Sequence, residues 1–145
     1  MKSFVKMYRT VLLLSLWFVS QAVSAAQAPN VSRAIFTTKI VEREPIDQIL
    51  MLSNKTLNVF FFTDLRHFEG RTVIHKWVYN GKVESVIRFK VKGPRWRVFS
   101  RKDIKPEQLG KWTVFVQDEG GLSMKASVFR LVDNPEQQVI LPASK

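Results

Sequence analysis

Seven short β-branched and aromatic runs, each closed by a turn signal, constrain this chain more than any other feature. They are Ala34–Val41, Leu57–Thr63, Thr72–Tyr79, Val83–Val91, Arg95–Ser100, Lys111–Gln117 and Ser123–Leu131. Glu44-Pro45, Ser53-Asn54, Glu69-Gly70, Asn80-Gly81, Gly93-Pro94, Lys105-Pro106 to Gly110, and Glu119-Gly120-Gly121 punctuate them. Strands of this length at this spacing build a sandwich or a barrel. Only Ile46–Leu52 and the Pro106–Leu109 turn leave room for a helix, proline being suited to a helix start. The expected fold is all-β: an immunoglobulin-like antiparallel β-sandwich of about seven strands, with a closed barrel as the alternative.

Period-2 alternation assigns the faces. Trp112, Val114 and Val116 share one side of their strand, and Val73, His75, Trp77 and Tyr79 share one side of theirs. Leu57–Thr63 is apolar on both sides, as a central strand would be. The core is expected around Phe61, Trp77, Phe89 and Trp112. If Asn80-Gly81 closes a strict two-residue hairpin, Trp77 opposes Glu84 and joins the surface with His75 and Tyr79. A longer loop, a bulge or a sheet switch instead sets Trp77 in the core opposite Ser85, and the core is the reading preferred here.

The first 25 residues read as an address. Lys2, Lys6 and Arg9 precede the apolar run Val11–Val19, and small residues end at Val23-Ser24-Ala25, the order of a secretory signal peptide. The alternative is a retained anchor, although Val11–Val19 is about half the roughly 20 apolar residues a spanning helix needs. No later segment approaches that length, so no transmembrane segment is expected in the mature chain. Expected boundaries are a signal peptide at 1–25, a flexible leader at 26–32, a sandwich domain at 33–132 and a C-terminal tail at 133–145. Within that tail, Val139-Ile140-Leu141 could add a short edge contact. Export would place the protein in the periplasm or outside the cell. There is no cysteine, which excludes a disulfide scaffold, thiolate metal sites and a cysteine nucleophile.

Arg33–Thr38, Phe62-Thr63-Asp64-Leu65-Arg66, His75-Lys76-Trp77 through Asn80-Gly81-Lys82, Gly93–Val98 and Gly110–Val114 occur in an order that resembles the bacterial family catalogued as domain of unknown function 2914. The resemblance spans about residues 33–132. It implies a β-rich domain of the bacterial envelope with no established activity or ligand, and it supplies no catalytic residues.

Charge is unevenly spread. Beyond residue 25 the chain holds 20 Lys and Arg against 12 Asp and Glu, and nine of those cations lie between Val86 and Lys111 with only Asp103 and Glu107. If Gly93-Pro94 is a hairpin loop, Lys92 opposes Arg95, Lys90 opposes Arg97 and Arg88 opposes Phe99. Phe89, Val91, Trp96 and Val98 then fill the other face. Like charges placed opposite destabilise a hairpin. The ladder Arg88, Lys90, Lys92, Arg95, Arg97, Phe99 and Arg101 is therefore a candidate anion-binding face. The plainer alternative is cations that blunt an exposed edge.

The expected function is a non-catalytic binding module for an anionic envelope partner: a polysaccharide, a lipid phosphate head group or an acidic protein. A structural or assembly role without an anion site is the alternative. Nucleic acid is not expected, because no recognised motif accompanies the charge and export would separate the chain from it. Catalysis would have to use Asp64, His67 and Glu69, the one compact polar cluster. That loop reads more simply as a turn in which Arg66 pairs with a carboxylate. With two histidines and no ligand spacing, neither a metal nor a cofactor is expected.

Overall fold

The computed structural model describes residues 24–145, so residues 1–23 of the expected signal peptide lie outside it. Each of the seven expected strands is present. In chain order the elements are β1 (Asn30–Thr37), β2 (Ile40–Val41), β3 (Glu44–Pro45), β4 (Asp47–Ser53), β5 (Asn58–Arg66) and β6 (Thr72–Tyr79). They continue with β7 (Lys82–Lys90), β8 (Arg95–Asp103), β9 (Gly110–Asp118), β10 (Ser123–Val132), a 3₁₀ turn at Pro135–Gln137, and β11 (Val139–Pro142). No helix among the described residues is long and apolar enough to cross a membrane.

Two sheets face each other: a small one ordered β1-β5-β8 and a large one ordered β11-β4-β10-β9-β6-β7, with β2-β3 as a separate ribbon. The order matches an immunoglobulin-type sandwich, in which strands A, B and E form one sheet and G, F, C and C′ belong to the other. One pair departs from the antiparallel expectation, since β4 runs parallel to β10. Ile46–Leu52 is mostly strand, not helix. Its backbone is satisfied by β10 on one side and β11 on the other, and Asp47 fastens it by accepting from Thr37 Oγ1 at 2.6 Å and Thr38 N at 2.8 Å. β1 begins at Asn30, so the last three residues of the expected leader 26–32 are strand. The short C-terminal contact is β11, paired to β4 at the sheet edge.

Asn80 and Gly81 both take positive φ, 45° and 83°, the turn that suits the right-handed twist of a two-residue hairpin. A bulge between Trp77 and Val78 then sets Trp77 opposite Ser85, and the indole is fully buried. Phe36 sits at the centre of the core, 4.9 Å from Phe61, 4.7 Å from Phe129 and 5.7 Å from Trp77 between ring centroids. Such aromatic pairs contribute about 0.5–1.5 kcal/mol each beyond the area they bury.

The core also holds one polar node. His75 is fully buried, with Nδ1 2.9 Å from Ser100 Oγ and Nε2 3.0 Å from Thr63 Oγ1. Trp77 Nε1 donates to the same Ser100 oxygen at 2.9 Å. Ser100 thus has its own proton to give to Nδ1, which leaves the imidazole proton on Nε2 to reach Thr63. Burial pushes the His75 pKa down to about 3, so the ring is neutral and links β6 of the large sheet to β5 and β8 of the small one.

Candidate functional site

The expected cation ladder does not form. β7 is an edge strand of the large sheet paired with β6, whereas β8 pairs with β5 in the small sheet. Lys90 opposes Thr72, Arg97 opposes Asp64 and Phe99 opposes Phe62. Residues 91–94 are a crossover, not a hairpin loop. Val91 N donates to Arg71 O while Gly70 N donates to Val91 O, both at 2.9 Å, and His67 N then donates to Pro94 O at 2.8 Å. The chain therefore passes from one sheet to the other, with Val91 buried at the end of the core. The expected inward residues do turn toward the core, but from opposite sides. Their outward-facing neighbours consequently point in opposite directions: Arg88 and Lys90 from the large sheet, and Arg95, Arg97, Phe99 and Arg101 from the small one. Lys92 is left in the crossover.

On the small sheet, arginine meets carboxylate. Asp64, 1% exposed, accepts from Arg95 Nη2 at 2.9 Å and Arg66 Nη2 at 3.1 Å, with Arg33 at 3.9 Å. Glu44, carried by β3, bridges Arg33 at 2.5 Å and Arg97. Burial pushes the Glu44 carboxyl up, but hydrogen bonds and charge from Arg33 and Arg97 outweigh it and hold the group below its ordinary range. The Asp64 carboxylate raises the pKa of Arg95 in turn. Arg101 turns to Asp103 at 2.9 Å and to Asn58 Oδ1 at 3.0 Å. A cleft of about 820 Å³ opens beside this network, and charges of both signs line it. Asp64 is thus a strand residue neutralised by arginines, with Arg66 paired to it. His67 follows at φ 59° and Glu69 is exposed. Among the described residues no group of three or more His, Asp or Glu could hold a metal ion.

The outer face of the large sheet has a different composition. Cross-strand partners set the side chains in rows: Arg88–Ile74–Gln117, then Val86–Lys76–Phe115–Ala126, then Val83–Val78–Thr113–Val128, then Lys111–Arg130. Lys90 and Thr72 precede the first row. No carboxylate stands in these rows. Five cations cross the sheet obliquely, from Lys90 and Arg88 on β7, through Lys76 on β6, to Lys111 on β9 and Arg130 on β10. At ~3.4 Å per residue the stripe extends about 27 Å along the strand direction. All seven ion pairs among the described residues lie elsewhere. The nearest thing to a partner is the Gly70 carbonyl, which Lys90 Nζ reaches at 2.5 Å and which carries no charge. Between the cations, Val83, Val86 and Val128 are 45%, 42% and 48% exposed.

Lys76 and Arg130 escape a search for dense charge, because each stands alone among core side chains, and Lys111, at the end of the basic segment, falls outside the expected ladder. Lys76 lies between His75 and Trp77, Lys111 beside Trp112, and Arg130 between Phe129 and Leu131. The signal that finds them is alternation: a lone cation flanked by buried neighbours must point away from the core.

Residues 70–131 match the model of a family described as a protein of unknown function, DUF2914. The matched segment is similar to DUF2914. It runs from the turn before β6 into β10, so all five stripe cations fall inside it, whereas Arg33, Glu44, Asp64 and Arg66 precede it. Two of the stretches that carried the resemblance, Arg33–Thr38 and Phe62–Arg66, lie outside the matched DUF2914 residues. No curated protein matches the chain.

Proposed function

We propose that this protein is a non-catalytic binding module that holds an anionic partner on the outer face of its large sheet. One observation carries the reading: Lys90, Arg88, Lys76, Lys111 and Arg130 form a stripe with no carboxylate among them, while the arginines of the small sheet already have counter-charges. A rigid sheet fixes these cations without a folding cost at the moment of binding, and their summed field attracts anions over a distance that salt shortens. The signal-like first 25 residues support a place of action in the bacterial envelope or outside the cell.

The test is an ionic-strength series with dextran sulfate as a generic polyanion. Binding at about 20 mM salt should weaken at least 10-fold by about 200 mM, as screening requires. No binding at the lower salt removes the proposal.

A further inference from the structure

The stripe has a gap, and the gap has a shape. Lys76 and Lys111 lie two rows apart on neighbouring strands, roughly 14 Å by strand rise and spacing. The row between them carries only short side chains, Val78 and Thr113 with Val83 at the edge, next to the longer Lys76–Phe115 row. A groove of about 360 Å³ results, lined by Lys76, Val78, Asn80, Lys111, Thr113 and Phe115 among others. Its floor is apolar, half-buried Phe115 walls one side, and a cation stands at each end. The Thr113 hydroxyl and the Asn80 side-chain amide hydrogen-bond to no other described group, so both are available to a ligand.

We infer that this groove is the seat of one sugar residue of an acidic polysaccharide, a hexuronate unit; this rests on the stripe reading above. A pyranose ring has a C–H face that packs on valine and an aromatic ring, and a hydroxyl edge that exchanges hydrogen bonds with a hydroxyl and an amide. The carboxylate of a hexuronate would extend to Lys76 or Lys111, and its neighbours along the polymer would meet the remaining cations of an elongated stripe. A polyphosphate has no apolar face to place against Phe115 and Val78. A membrane would be met by protruding apolar groups, not by a recess between rows.

The experiment titrates the full chain with oligogalacturonate, its methyl ester, polyphosphate and vesicles of anionic phospholipid. Oligogalacturonate should bind at low salt and its uncharged methyl ester at least 10-fold more weakly. Phe115→Leu and Thr113→Val keep apolar volume and should retain the wild-type melting temperature within a few degrees. Each should weaken oligogalacturonate at least 5-fold while leaving polyphosphate affinity unchanged. If both variants bind oligogalacturonate like the wild type, the groove is not a sugar seat. The stripe reading still stands if Lys76→Gln with Lys111→Gln weakens binding. Tighter binding of polyphosphate or vesicles than of oligogalacturonate overturns the sugar assignment. Failure of every anion to bind overturns the stripe itself.

Discussion

The two outer faces of this sandwich carry similar numbers of cations and differ in what those cations meet. On the small sheet, Arg33, Arg66, Arg95 and Arg97 converge on Asp64 and Glu44, so the charges stabilise the fold and are largely occupied. On the large sheet, five cations run past valines with no carboxylate in reach. A basic balance in a sequence therefore says little about where an anion would bind. What matters is which cations remain after the carboxylates have been assigned, and that is a property of the fold.

Acid should produce the largest effect, and it separates the interior from both faces. The His75 pKa in the folded chain, about 3, lies below its ordinary 6.5. Between those values the unfolded chain takes up a proton that the folded chain refuses. The stabilisation is therefore complete above pH 6.5 and falls by about 1–2 kcal/mol per pH unit below it, to a total of roughly 4 near pH 3. Urea unfolding at a series of pH values measures this. A flat stability between pH 6.5 and 4.5 would show that His75 is not held neutral. The lowered Glu44 adds a smaller loss of the same sign at lower pH, since its stabilisation is present above the ordinary carboxylate range and disappears as pH falls through the folded value.

Substituting Asp64→Asn should rank next, because it leaves three guanidiniums without their buried counter-charge. A loss of about 1–3 kcal/mol in unfolding free energy is expected, the arginines being partly solvated and so less dependent on it than fully buried ions. A neutral result would mean that the small-sheet network does not hold the fold. The smallest effect belongs to the other face: Lys76→Gln with Lys111→Gln should change unfolding free energy by no more than about 0.5 kcal/mol, because neither side chain has an ionic partner to lose. A larger drop would place these lysines in the structural machinery and erase the contrast between the faces.

How much of this was legible in the sequence follows from the range of each signal. Alternation is local, so the seven strands, the burial of Trp77 and Trp112, and the inward turn of Val91 and Val98 could all be read from residue order. Sheet partnership is not local. Strands that face a common core from opposite sheets sort their side chains just as two strands of one hairpin do, so Phe89–Val91 and Trp96–Val98 fitted both arrangements. Gly93-Pro94 looked like a hairpin loop, but the backbone bonds of Val91 and Pro94 go to different neighbours and carry the chain across. The same ambiguity concealed the site. Arg95 and Arg97 met carboxylates distant in sequence, while Lys76, Lys111 and Arg130 were gathered from three strands into one stripe.

The central claim is that the unpaired cations of the large sheet, and not the paired arginines of the small one, hold the anion. Two double variants decide it when titrated with the same polyanion at low salt: Lys76→Gln with Lys111→Gln on the large sheet, and Arg95→Gln with Arg97→Gln on the small one. The first should weaken binding at least 10-fold and flatten its salt dependence, while the second should leave both near the wild-type values. The opposite pattern, with affinity lost on the small sheet and kept on the large, would contradict the account.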